Sequence, residues 1–97
     1  MKPRFRQKPD ANQPEIVTAL LKIGCTVYDA SRVGTLPDLV VGYRGVTCLI
    51  ECKMPNGKLN ADQKVWHEGW NGHSVVVHSP QEAIDAVISH VKNHQSR

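Results

Sequence analysis

Pro37-Asp38-Leu39-Val40-Val41-Gly42-Tyr43-Arg44-Gly45-Val46-Thr47-Cys48-Leu49-Ile50-Glu51-Cys52-Lys53 is the stretch on which the fold turns. Two β-rich runs, one from Asp38 to Gly42 and one from Val46 to Glu51, flank the turn signal Gly42-Tyr43-Arg44-Gly45 and read as a hairpin. With Arg44-Gly45 as a two-residue loop, Tyr43 pairs with Val46, and counting outward sets Asp38 opposite Glu51. Side chains alternate faces with period two, so Glu51 and Lys53 share one face while Cys48, Ile50 and Cys52 share the other. Like charges directly opposite one another destabilise a sheet, so a cation between Asp38 and Glu51 is the expected reason for the pairing. Pro37 disfavours helix at Leu36 and lacks a ladder donor, which suits the first residue of a strand and holds Asp38 at a fixed strand mouth. Pro55, Asn56 and Gly57 stop the second strand just after Lys53. The bland alternative is a solvated hairpin end carrying three charges and no chemistry.

Working outward, Asn12-Gln13-Pro14-Glu15 opens a helix with Asn12 as N-cap, an apolar stripe of Ile16, Val17, Leu20, Leu21 and Ile23, and Gly24 as its stop. Cys25 to Asp29 is a short strand, and the hairpin follows it. Asn60 caps a second helix reaching about Trp70, with Leu59, Trp66 and Trp70 on one side. Ser74 to His78 is an unbroken apolar run, which predicts a strand buried on both faces. Ser79-Pro80-Gln81-Glu82 reads as a capping box with Pro at the first helical position, ahead of a last helix lined by Ala83, Ile84, Val87, Ile88 and Val91. The order α-β-β-β-α-β-α, with a helix between the hairpin and the next strand, predicts an α/β fold whose mixed four-stranded sheet is flanked by helices.

The length of 97 residues fits one domain with one modest core, and 40% hydrophobic with 22% charged residues is ordinary globular material. No apolar run approaches the roughly 20 residues needed to span a bilayer, so no membrane role and an intracellular location are expected. Cys25, Cys48 and Cys52 form no C-x-x-C pair and read as reduced core thiols. His90 and His94 have the i,i+4 spacing that zinc uses, but no third ligand lies nearby in sequence. The net charge of +3 is mild, yet Lys2, Arg4, Arg6 and Lys8 crowd the first eight residues. Residues 1–11 therefore read as a basic arm, suited to phosphate contact through Arg4, Arg6 and Lys8 or else a solubilising tail. Residues 12–94 read as the single folded domain.

Taken in order, Glu15, Gly34-Thr35-Leu36-Pro37-Asp38-Leu39, Ile50-Glu51-Cys52-Lys53 and Leu59-Asn60-Ala61-Asp62-Gln63 with Trp66 resemble the PD-(D/E)XK nucleases. More narrowly they resemble the small virus-type replication-repair nuclease (VRR-NUC) domains, over roughly residues 12 to 92. Cys52 stands where a β-branched residue is commoner. The resemblance implies a restriction-endonuclease-like αβββαβα core, similar to phage and archaeal Holliday-junction resolvases. It implies a cytoplasmic, Mg²⁺- or Mn²⁺-dependent endonuclease acting on DNA, branched DNA in particular, in a bacterial or phage-infected cell. It also implies Glu15, Asp38, Glu51 and the backbone carbonyl of Cys52 as metal ligands, with Asp38, Glu51, Lys53 and Gln63 catalytic.

Chemistry agrees on the central three. Asp38 and Glu51 offer oxygen donors that select a hard cation, and Lys53 offers a point charge for the water and the phosphate. Glu15 and Gln63 each stand three residues after an Asn, so both could equally close capping boxes. Gln63 nonetheless falls on the inward stripe of its helix, where a polar group needs a partner. Arg32 and Lys58 are further candidates for DNA contact. One site cuts one strand, so paired cutting of a junction calls for a homodimer, for which Trp66 and Trp70 could supply a surface unless they pack under the sheet. The competing functions are a flap or nicking nuclease working as a monomer, and a catalytically silent nucleic-acid-binding module.

Overall fold

A computed structural model describes residues 10–95 of the chain. Their order is α1 (Gln13–Lys22), β1 (Thr26–Asp29), β2 (Leu39–Tyr43), β3 (Val46–Cys52), α2 (Ala61–Gly69), β4 (Ser74–Val77) and α3 (Pro80–Gln95). The strands form one sheet in the order β1-β2-β3-β4, antiparallel across the first two pairings and parallel between β3 and β4. The mixed four-stranded sheet flanked by helices is thus what the sequence pattern predicts.

The hairpin register follows from its turn. Arg44 and Gly45 both take positive φ, 51° and 82°, the two-residue primed turn whose twist matches that of the flanking strands. Tyr43 pairs with Val46 and Leu39 with Ile50, so the next step outward faces Asp38 with Glu51. At the end of α1, Gly24 adopts φ 96° while its N–H and that of Cys25 donate to the carbonyls of Leu21 and Leu20. This closed cap turns the chain sharply into β1 and brings Cys25 down beside Leu20 in the core.

The core lies on one face of the sheet. Leu39, Val41, Cys48, Ile50, Cys52 and Val77 meet Ile16 and Leu20 of α1 and Ala83 and Val87 of α3. All three cysteines are buried and unbridged. Burial, followed by the Cys25 thiol, pushes Cys48 up to about 12, and burial with the neighbouring carboxylates of Asp38 and Glu51 pushes Cys52 higher still, so these thiols are inert packing groups.

Three expectations are corrected. Asn12 does not cap α1: its backbone is helical (φ −88°, ψ 0°) and its side chain makes no cap bond. Glu15 therefore closes no capping box there. β4 is an edge strand rather than one buried on both faces, and only Val77 of it is fully buried. At α3 the Ser79 hydroxyl accepts from the Glu82 N–H, but the Glu82 carboxylate turns to the N–H and ring of His78 instead of returning to Ser79. Trp66 and Trp70 stack on each other, centroids 5.0 Å apart, with Trp66 half-buried and Trp70 43% exposed.

Candidate active site

Asp38 is fixed by the segment that leads to it. Two successive turns, closed by Val33 N–H to Ala30 and Leu36 N–H to Val33, deliver a fully buried Pro37 to the mouth of β2. There the Asp38 carbonyl accepts from the Ala30 N–H at 2.8 Å, and its carboxylate Oδ2 accepts from the Cys52 N–H at 2.9 Å. The aspartate thus extends the β2–β3 pairing by one bond made through its side chain.

Glu51 stands across from it on β3, with its side chain on the face away from the apolar core. It is 1% exposed, against 7% for Asp38. The carboxylate is covered by α2: Gln63 Nε2 donates to Oε2 at 3.2 Å, and His67 Nε2 lies 3.8 Å from Oε1. Gln63, 3% exposed, also completes a capping box with Asn60. Its N–H donates to the Asn60 side chain at 2.8 Å and its Oε1 accepts from the Asn60 N–H at 2.9 Å. The capping role open to Gln63 is thus present, and the same side chain also reaches Glu51. One side chain uses its oxygen for the cap and its amide nitrogen for Glu51.

Lys53 follows β3 directly, half-buried, with its N–H donating to the Val77 carbonyl at 2.9 Å. Period-two alternation gives it the face of Glu51. Its own carbonyl is held by Asn12, whose Nδ2 donates both to Lys53 O at 2.9 Å and to His78 O at 3.2 Å. Asn12 therefore ties the start of α1 to the ends of both β3 and β4. Nothing local in the sequence points to this, because the partners lie 41 and 66 residues away and Asn before Gln-Pro reads as a cap. His67, which the sequence allows to approach the site from the second helix, does so: it follows Gln63 by one turn and shares its face.

Glu15 is exposed and lines a depression of about 280 Å³ with Asn12, Met54 and His78. Arg32 and Lys58 are exposed as well. Arg4, Arg6 and Lys8 lie outside the described residues. The structure does not gather Glu15, Asp38 and Glu51 into one cluster: among the described residues, no group of three or more His, Cys, Asp or Glu side chains could hold a metal ion. The donor set offered is two buried, facing carboxylates. That fits Mg²⁺ or Mn²⁺, because Mg²⁺ is ordinarily held by one or two protein carboxylates and completes its shell with water and substrate oxygens.

Comparison with solved structures decides the fold. One solved structure, described as a VRR_NUC domain, superposes with a TM-score of 0.62, at 24% sequence identity, over 81% of this chain and 96% of that one. The chain has the fold of a VRR_NUC domain. No protein-family model matches the sequence, and no curated protein does. In this VRR_NUC fold the Asp38–Glu51 pair sits where the hairpin ends, and α2 covers the glutamate from the face opposite α1 and α3.

Proposed function

We propose that the protein is a metal-dependent endonuclease that hydrolyses phosphodiester bonds in DNA, with branched DNA as its preferred substrate. The observation that carries the reading is the buried Asp38–Glu51 pair facing across β2 and β3, with Lys53 two positions beyond Glu51, on a VRR_NUC fold. Two facing carboxylates that take no part in the apolar core destabilise the sheet, and such a cost is retained where charge is needed for binding or chemistry. A Mg²⁺ or Mn²⁺ ion held by Asp38 and Glu51, with the Cys52 carbonyl as a further donor, would supply charge neutralisation at the scissile phosphate.

The protein's own groups divide the remaining work. Asp38 is oriented by the Cys52 N–H, and Glu51 by Gln63, so both carboxylates are set before substrate arrives. Lys53 adds a positive charge beside them, where it attracts the phosphate and orients the attacking water. Asn12 fixes the backbone that carries Lys53. Glu15, at the rim of the neighbouring depression, is a candidate to approach the site from the side of α1. Arg32 and Lys58, with the arm residues Arg4, Arg6 and Lys8, are the proposed phosphate contacts along the duplex. Paired cuts at a four-way junction require two such sites, and hence a homodimer. A monomer would make a flap or nicking enzyme instead.

The test is a substrate panel: four-way junction, flap, nicked and linear duplex of matched sequence, each incubated with Mg²⁺, Mn²⁺ or EDTA. The proposal expects metal-dependent cutting that favours the branched substrates, with light scattering giving a dimer if the cuts are paired. Binding to junctions in Ca²⁺ without cutting in Mg²⁺ or Mn²⁺ would replace the enzyme with a binding module.

A further inference from the structure

His67 of α2 occupies a defined place between Ser74 of β4 and the Glu51 carboxylate, and no part of the chemistry described so far uses it. Its ring Nδ1 lies 3.0 Å from the Ser74 hydroxyl at the start of β4, and its Nε2 lies 3.8 Å from Glu51 Oε1. The imidazole side chain is only 12% exposed. Ser74 pairs with Leu49, two residues before Glu51 on the adjacent strand, so the ring spans from the edge strand to the carboxylate beneath α2. A carboxylate oxygen can only accept. A tautomer with its proton on Nε2 would present that proton to the oxygen and leave Nδ1 to accept from the Ser74 hydroxyl.

The geometry points to His67 as a positioning residue that, held by Ser74, orients the Glu51 carboxylate for the divalent cation. The inference rests on the proposal that Glu51 is a metal-holding carboxylate. Gln63 governs Oε2 and His67 faces Oε1, so the two α2 residues, one turn apart, flank the carboxylate on its two oxygens. A carboxylate gripped at one oxygen still swings about that contact. The imidazole, 3.8 Å from the other oxygen and so beyond hydrogen-bond length, limits that swing by its bulk and polarity and closes on the oxygen when the carboxylate turns to a cation. Partners of this kind, standing behind a ligand, typically change metal affinity by about 10–100-fold when removed.

Two near-isosteric replacements separate the two ends of the ring. His67→Asn retains an amide at the Nδ1 position, within reach of Ser74, and loses the group that faces Glu51. His67→Gln extends an amide to the Nε2 position and retains that group. Mn²⁺ binding to the DNA-free protein, followed by electron paramagnetic resonance, is the readout. His67→Asn is expected to weaken Mn²⁺ binding by at least about tenfold. His67→Gln should stay within a few-fold of the wild type, and Ser74→Ala should fall between. Thermal melts in EDTA keep a folding defect apart from a metal-site defect, because Asn and Gln should melt alike there. In the metal-free wild type, nitrogen-15 NMR of the imidazole should show the Nε2–H tautomer. Equal Mn²⁺ affinity in His67→Asn and wild type, with Asp38→Asn abolishing binding, would overturn the role of His67 and leave the metal site standing. Mn²⁺ binding indifferent to Asp38→Asn would instead overturn the metal site itself, and this inference with it.

Discussion

Replacing Glu51 by Gln should make the metal-free protein more stable while removing its response to metal. Asp38 and Glu51 face each other across the β2–β3 pair, where directly opposed side chains stand about 5 Å apart at Cβ. Two negative charges at that separation repel by roughly 3 kcal/mol at an effective dielectric of about 20. Carboxylates angled apart and partly solvated through Asp38 feel less, leaving about 1–2 kcal/mol to be recovered by neutralising one of them. The substitution costs little else. The Gln carbonyl still accepts from Gln63 Nε2, and its amide still meets His67, whose ring can exchange tautomers with Ser74. In EDTA, Glu51→Gln should therefore melt at least about 4 °C above the wild type, on the scale of a domain this small. At a hundred times its dissociation constant, Mg²⁺ should stabilise the wild type by about 2.7 kcal/mol, and Glu51→Gln should gain almost nothing. Melts followed by circular dichroism, with and without Mg²⁺, decide it. A variant less stable than wild type in EDTA, or one that keeps the full metal-induced rise, refutes the reasoning.

Gln63→Ala removes a helix cap worth about 1 kcal/mol and a donor to a buried carboxylate worth about 1–3 kcal/mol, so urea unfolding should register a loss of about 2–4 kcal/mol. A loss below half a kcal/mol would mean that neither contact matters. Asn12→Ala deletes the two bonds to the Lys53 and His78 carbonyls and should cost about 1–3 kcal/mol by the same measurement, with Asn12→Asp no better because a carboxylate would face carbonyl oxygens. Burial, and then the adjacent His90, hold the His73 imidazole below its ordinary value of 6.5. The unfolded chain then binds more protons than the folded one just below that value, so stability climbs with pH through the window and drops on the acid side. His73→Gln should flatten this slope in urea unfolding on the acid side of pH 6.5, and an unchanged slope would contradict it.

The hairpin was legible because its turn leaves little choice. Arg44-Gly45 admits a primed two-residue loop, that loop fixes Tyr43 against Val46, and a fixed pair propagates to Asp38 and Glu51. Element order and the inward face of α2 were legible for a similar reason, since both are carried by local period. What lay outside local reach was misread. Asn12 carries every signal of an N-cap, yet the carbonyls it serves come from strand ends 41 and 66 residues away, and cap preference loses to tertiary partners. The apolar run of β4 looks like a central strand, but its place at the sheet edge follows from topology that composition does not carry. Gln63 both caps its helix and reaches Glu51 because an amide has two ends, and the helix start and the sheet each use one.

The most direct test of the central claim is single-turnover cleavage of a labelled four-way junction by the 97-residue wild type, Asp38→Asn and Lys53→Ala, each at saturating Mg²⁺ and in EDTA. The account predicts cutting by the wild type in Mg²⁺ alone, and a fall of at least about 10²-fold in both variants, whose melting shows them folded. Wild-type rates in the two folded variants, or cutting that survives EDTA, would contradict it.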